Sequence, residues 1–238
     1  VWILFLLSVV TCLQVKAQYM PVVFDKVYGD KNQIQLVCPL PGDEVALVGK
    51  EGQKYNLTWV EREGGVIFSL PLTGFTAVNE IVELDNSRVL VVGQSSVPNV
   101  KGKKDKITLC GRIVVINRGG RIVSDIYAGD QGSNFLKGML LRSGAFVVSG
   151  SEPKGADGRQ GILLKLDPTG SVVYQYKNAG GGYCDQFAVM GNSIEYICAA
   201  FSAGKDKEQA LVVRLDDKGK PYYMTTIPAK QFVVTGLN

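Results

Sequence analysis

The sequence predicts an all-β protein made of repeated four-stranded antiparallel sheets, and three observations carry that prediction. One order of signals recurs four times: a short apolar strand, a very apolar strand ending in a small residue, a charged loop, a strand closed by a polar Gly turn, and a β-rich strand. The glycines that close the third strand, Gly65, Gly120, Gly170 and Gly219, are separated by 55, 50 and 49 residues. Beyond residue 17 no apolar stretch has the 3.6-residue period of an amphipathic helix.

The second strands read VALVG (Val45 to Gly49), VLVVG (Val89 to Gly93), AFVVSG (Ala145 to Gly150) and IEYICAA (Ile194 to Ala200). The third strands and their turns read NLTWVEREGG, GRIVVINRGG, GILLKLDPTG and ALVVRLDDKG. Asp167 opens such a turn, Pro168 fixes its φ, and Gly170 and Gly219 suit a positive φ, so the flanking strands form an antiparallel hairpin. Fourth strands follow as RIVSDIYAGD and SVVYQYKNAG, and PVVFDKVYGD (Pro21 to Asp30) has the same pattern near the N-terminus. At the other end QFVVTG (Gln231 to Gly236) repeats QFAVMG (Gln186 to Gly191), the first strand of a further unit. Four strands per period of about 50 residues is the arithmetic of a β-propeller blade. Four complete units flanked by partial first and last ones are expected to come from a parent of six to eight blades, incomplete at the C-terminus. An open stack of sheets or a β-solenoid is the other architecture this pattern permits.

The units GILLKLDPTGSVVYQY and ALVVRLDDKGKPYYM resemble the "lvkLDxxGxvxW" blades of secreted bacterial propellers, similar to quinoprotein-like and delta-60-type repeats of the Bacteroidetes kind. The resemblance runs over residues 21–238 and implies architecture. It departs from that pattern at Phe68, Ser124, Tyr174 and Tyr223, near where such blades often carry Trp. The resemblance implies an exported binding module or a sensor ectodomain, and less often an enzyme; the fold itself does not choose among these.

Residues 1–17 read as a signal peptide: the apolar block VWILFLLSVVTCL leads to Val15-Lys16-Ala17, with cleavage expected after Ala17. The block falls short of the about 20 apolar residues of a transmembrane helix, so residues 18–238 form the mature propeller with no expected membrane span, secreted, periplasmic or at the cell surface. Composition narrows the function further. The 238 residues include no His, which excludes Ser-His-Asp and Cys-His nucleophile pairs and His-ligated zinc within this sequence. A net charge of +4, evenly mixed, gives no reason to expect nucleic acid. No metal or cofactor is expected. Cleavage leaves Cys38, Cys110, Cys184 and Cys198, each readable as a small buried strand residue; if two are bridged, Cys184 and Cys198, flanking one hairpin, are the expected pair.

In a propeller the loops between second and third strands and those between blades share one face. Lys101, Lys103, Lys104, Lys106, Lys154, Arg159, Lys205 and Lys207 fall in the first kind, with Lys50 and Lys54, and are offset by few acids, Glu152 among them. They are candidates for a basic rim that attracts an anionic glycan or an acidic protein surface; the plainer reading is that they are ordinary solvated loop tips. The interblade loops place an acid at a similar point, Asp30, Asp130 and Asp185, candidates for ligand binding that could pair for glycosidase chemistry or hold a cation. Recurrence per blade favours a turn-capping role over a catalytic pair, which needs unequal environments. Aromatic residues Trp59, Tyr127, Tyr183, Tyr222 and Tyr223 are readable as a stacking platform or as interblade packing. The function this supports is a non-catalytic binding or scaffold propeller with a glycan or protein partner, its oligomeric state open. The competing classes are a carbohydrate-active or quinone-dependent enzyme with catalytic residues partly in other blades, and a sensor ectodomain.

Overall fold

Each of the four repeats folds into one antiparallel meander of four strands, in a computed structural model that describes residues 33–85, 87–97, 108–155, 158–178, 184–190, 196–203 and 209–228. The first blade holds β1 (Gln33–Leu40), β2 (Glu44–Glu51), β3 (Lys54–Val60) and β4 (Val66–Pro71). The second holds β5 (Phe75–Asp85), β6 (Arg88–Val97), β7 (Thr108–Asn117) and β8 (Ile122–Ala128). In the third are β9 (Asn134–Leu140), β10 (Phe146–Lys154), β11 (Gly158–Leu166) and β12 (Val172–Lys177). The fourth comprises β13 (Cys184–Met190), β14 (Tyr196–Ala203), β15 (Gln209–Leu215) and β16 (Pro221–Pro228). Strand order within every sheet follows the chain, and the first strands of successive blades touch, so the sheets stack side by side in sequence order. The expected segments at 1–17, 21–30 and 231–236 lie outside the described residues. Among the described residues no helix is long and apolar enough to cross a membrane.

The continuous apolar runs of the second strands have a simple cause. A strand sends alternate side chains to opposite faces, and an inner blade is covered on both. In the second blade Val89, Val91, Val114 and Ile116 join Ala46, Val48, Leu57 and Trp59 of the first. Their neighbours Leu90, Val92, Ile113 and Val115 join Phe146, Val148, Ile162 and Leu164 of the third. The same alternation sends Val147 and Leu163 of the third blade toward Val213 and Leu215 of the fourth. Each such fully buried side chain contributes about 1.5–3 kcal/mol of transfer free energy. The outermost strands face solvent on one side, and Val66, Ile122 and Val172 at their starts are exposed.

The closing turns are one device used four times. The glycine N–H donates to the carbonyl that opens the turn: Gly64 to Glu61, Gly120 to Asn117, Gly170 to Asp167 and Gly219 to Asp216, at 2.9–3.0 Å. All four glycines have positive φ, from 75° to 93°. The first unit therefore turns on Gly64 and not on the expected Gly65. In the other three the opening Asn or Asp side chain accepts two further backbone N–H bonds; Asp167 Oδ1 takes those of Thr169 and Ser171 at 2.8 and 2.9 Å. The Thr169 hydroxyl also donates to Asp167 Oδ1, and that bond first, with the backbone bonds behind it, holds the Asp167 carboxyl below its usual pKa.

Candidate functional site

At the ends of the second strands, polar residues bind the backbone of the described linkers between blades, 72–74 and 129–133. Arg112 on β7 lies in phase with buried Val114 and Ile116 and so is carried toward the first blade. Its guanidinium forks onto Asp125 of β8, with Nε to Oδ1 and Nη2 to Oδ2 both 2.8 Å. Nη1 donates to the Thr73 carbonyl at 2.5 Å, and the Phe75 and Tyr127 rings lie 4.8 and 5.1 Å away. Ser95 donates to the Gly74 carbonyl at 2.6 Å. Arg112 and Ser95 thus hold two successive carbonyls of the linker that enters the second blade. Burial pulls the Arg112 pKa down, but the hydrogen bonds and charge of Asp125 outweigh it and leave the pKa raised.

The third blade repeats the arrangement with other residues. Glu152 at the end of β10 is 0% exposed. Its carboxylate accepts from Lys177 Nζ and Gln160 Nε2, each at 2.6 Å, and from the Asp130 backbone N–H at 3.1 Å. Lys177 also reaches Asp130 Oδ2 at 3.1 Å. Burial works to lower the Lys177 pKa, and its bonds to Glu152 and Asp130 reverse that and raise it. Arg159 donates to Ser151 Oγ at 2.9 Å and to the Ser151 and Gly132 carbonyls at 3.0 Å each. The Ser133 hydroxyl closes the set, accepting from Gly111 N–H at 2.7 Å and donating to the Ala128 carbonyl at 2.9 Å.

Set against these positions, the expected site residues divide. Lys154 is exposed at the end of β10, while Arg159 is half-buried and tied to backbone. Asp130 stands in the linker before β9 with its side chain 69% exposed, paired to Lys177. Its carboxylate does not cap the turn; its own N–H is capped by Glu152. Asp185 lies within β13, at the bulge between Cys184 and Gln186, and is not the counterpart of Asp130. The recurrence of an acid per blade is thereby corrected for this pair. Lys101, Lys103, Lys104, Lys106, Lys205, Lys207, Asp30 and Tyr183 fall outside the described residues. In the β13–β14 ladder Cys184 stands opposite Phe201 and Cys198 opposite Ala188. Those register positions are about 10 Å apart along the strands, beyond the roughly 7 Å that a disulfide spans between Cα atoms.

Of the aromatic residues, Trp59 is buried between blades, donating Nε1–H to Glu44 Oε2 at 2.7 Å with Phe68 at 5.9 Å. Tyr127 and Tyr222 lie over Arg112 and Arg214. Cys38 and Cys110 are free, and burial raises both thiol pKa values, which keeps them protonated and weakly nucleophilic at neutral pH. Sequence reading missed Arg112, Asp125, Gln160 and Lys177 and counted Glu152 only as an offsetting charge. The signal was phase: Arg112 shares the parity of Val114 and Ile116, and Glu152 that of Val148 and Gly150.

Sheets of this form, four antiparallel strands each in sequential stacking, define a chain of the β-propeller class. No protein-family model and no curated protein matches this sequence. Solved structures do. A protein of unknown function from Bacteroides caccae is 14% identical with a TM-score of 0.46, over 89% of this chain and 73% of its own. The subtype N11 neuraminidase-like protein of a flat-faced bat influenza A virus from Peru is 9% identical with a TM-score of 0.51, over 89% of this chain and 58% of its own. A subtype N10 neuraminidase-like protein of a bat influenza A virus from Guatemala is 11% identical with a TM-score of 0.49, over 84% and 61%. This chain spans less than two thirds of the two viral proteins, and the likeness is one of fold.

Proposed function

We propose that this is an exported, non-catalytic binding propeller of the secreted bacterial kind, acting in the periplasm or at the cell surface, whose loop face holds an anionic glycan or an acidic protein. The observation that supports it is how the charges at that face are used. Arg112 with Asp125, and Lys177 with Glu152, neutralise each other while they hold linker backbone, and Arg159 is spent on two carbonyls. The paired charges brace the linkers, and in this reading the basic loop residues surround that frame as a rim, with Lys54 and Lys154 its exposed members among the described residues. Net positive charge at such a rim favours an extended anion by Coulomb attraction. Export rests on the apolar block at 1–13 and the Val15-Lys16-Ala17 site.

The test is retention of residues 18–238 on immobilised acidic and neutral polysaccharides, with release of reducing sugar followed in parallel. Retention on acidic glycans that weakens with salt, and falls about tenfold when Lys101, Lys103, Lys104 and Lys106 are changed to Gln, is the expected result. Retention indifferent to both changes, or release of reducing sugar, overturns the proposal.

A further inference from the structure

The fourth strand of each blade is the outer edge of its sheet, and among the described residues no strand pairs with that edge. An unpaired edge is a template for another strand, and proteins blunt it with proline or charge. Three of the four edges carry such a device: β4 ends at Pro71, β16 runs from Pro221 to Pro228, and β8 holds Asp125 at mid-strand. β12 does not. Its residues read VVYQYK, and the window 171–176 combines β-branched and aromatic residues with no charge, proline or glycine. The place of Asp125, opposite Val114, is taken in β12 by Gln175, opposite Leu164. Lys177, the one charge of the strand, is engaged by Glu152 at 2.6 Å and Asp130 at 3.1 Å.

The ladder decides which backbone groups this edge offers. Asn178 N–H donates to the Gly161 carbonyl at 2.9 Å, so by antiparallel alternation Tyr174 and Tyr176 turn their N–H and C=O groups toward β11. Those of Val173, Gln175 and Lys177 point outward. The strand is also open at its start, where Val172 and Val173 are 47% and 52% exposed.

We propose that the β12 edge is a strand-pairing site whose occupant is the β12 edge of a second copy of this chain, the two strands antiparallel about a two-fold axis at Gln175. Self-complementarity identifies the occupant. Outward-facing residues must meet outward-facing residues, and with Gln175 opposite itself, Val173 falls opposite Lys177 and Tyr174 opposite Tyr176. An amide both donates and accepts, so two Gln175 side chains satisfy each other at the axis, where two aspartates would repel. Lys177 meets no like charge there, and its aliphatic stem covers Val173 while its ammonium stays with Glu152 and Asp130. One strand edge falls below the about 1,200 Å² of a standard interface, so the dimer is weak and depends on concentration. This assignment is independent of the loop-face reading.

The test follows amide exchange of the 238-residue chain by NMR across a dilution series, with sedimentation equilibrium in parallel. Protection at Val173, Gln175 and Lys177 is expected to rise with concentration, while Tyr174 and Tyr176, bonded to β11, are protected throughout. Gln175→Asp opposes two carboxylates at the axis, and Gln175→Pro removes an outward N–H. Each should raise the dissociation constant at least about tenfold and leave Tyr174 and Tyr176 protected. Where a variant loosens β12, lost protection at Tyr174 reveals it, and the alternation in the unaltered chain decides. Outward amides that exchange freely at every concentration overturn the proposal, as does protection that ignores concentration, which assigns the edge to a segment of the same chain. Undiminished association in Gln175→Asp with β12 intact places the contact elsewhere and overturns it too.

Discussion

Gly219 of the fourth blade lies so close to the ring of Tyr174 in the third that no Cβ fits between them, and its φ of 77° is one that L side chains rarely adopt. Two costs therefore add at this position. Gly52, in the β2–β3 turn, has a comparable φ of 59° with nothing within 4 Å of its absent Cβ. Gly52→Ala should lose about 1–2 kcal/mol, the left-handed penalty alone. Gly219→Ala should lose that plus about 1–3 kcal/mol of overpacking, and it should raise the accessibility of Tyr174. Urea denaturation of both variants checks the order; equal losses would contradict the junction.

Asp125→Ala should destabilise the protein by about 2–4 kcal/mol, below the range for a fully buried pair because Asp125 is partly exposed. The loss comes from leaving the Arg112 guanidinium, which is almost wholly buried, with only the Thr73 carbonyl and the Ser95 hydroxyl as partners. Adding Arg112→Met to Asp125→Ala should recover part of it, since an apolar side chain between Phe75 and Tyr127 needs no counter-charge. A double change that is worse than the sum of its parts, in the same denaturation assay, would count against this account.

The blades were legible in the sequence because their signals are local. Alternating and continuous apolar strands, Asp-x-x-Gly turns and a period of about 50 residues all reside within one repeat. The turn at Gly64 was misplaced by one residue because Gly64 and Gly65 are adjacent and no Asn or Asp marks the opening position, which is Glu61. The site was less legible because its contacts join residues far apart in the chain. Arg112 meets Thr73, and Lys177 meets Asp130, across blade boundaries that only the stacking defines. Composition showed the lysines; it did not show that Glu152 is buried and Lys154 exposed two residues later.

Glu44 joins the first two blades and supplies an acid-sensitive contact. Arg118 forks onto it at 2.5 Å from Nη2 and 3.0 Å from Nε, and Trp59 Nε1 donates to it at 2.7 Å. The hydrogen bond from Arg118 lowers the Glu44 pKa, against burial, with that from Trp59 helping. A lowered folded-state pKa means the contribution is present above the unfolded value near 4.5 and is lost as pH falls through the folded value. The sequence has two tryptophans, Trp2 and Trp59, so in residues 18–238 Trp59 is the sole one. Its emission should shift below pH 4.5 in the native protein, and Glu44→Gln should abolish the pH dependence while leaving Trp59 buried. A shift that persists in Glu44→Gln would assign it elsewhere.

Glu152 is a fully buried charge at the loop face. It accepts three bonds, one from a backbone N–H of the linker between the second and third blades. Glu152→Gln keeps the shape and removes the charge, so Lys177 retains Asp130 alone as its counter-ion, and Asp130 is largely exposed. The expected loss is about 1.5–3 kcal/mol, the range for hydrogen bonds to charged groups. Lys177→Met should cost more than Glu152→Gln, because it strands a buried carboxylate with only Gln160 and one backbone N–H, whereas Lys177 left without Glu152 still reaches solvent. The linker should respond with the side chains: amide exchange at Asp130 and Ser133 should accelerate in both variants, while exchange in β6 and β7 stays slow. Unchanged exchange at Asp130 would mean that the linker is held by Arg159 and Ser133 and not by Glu152.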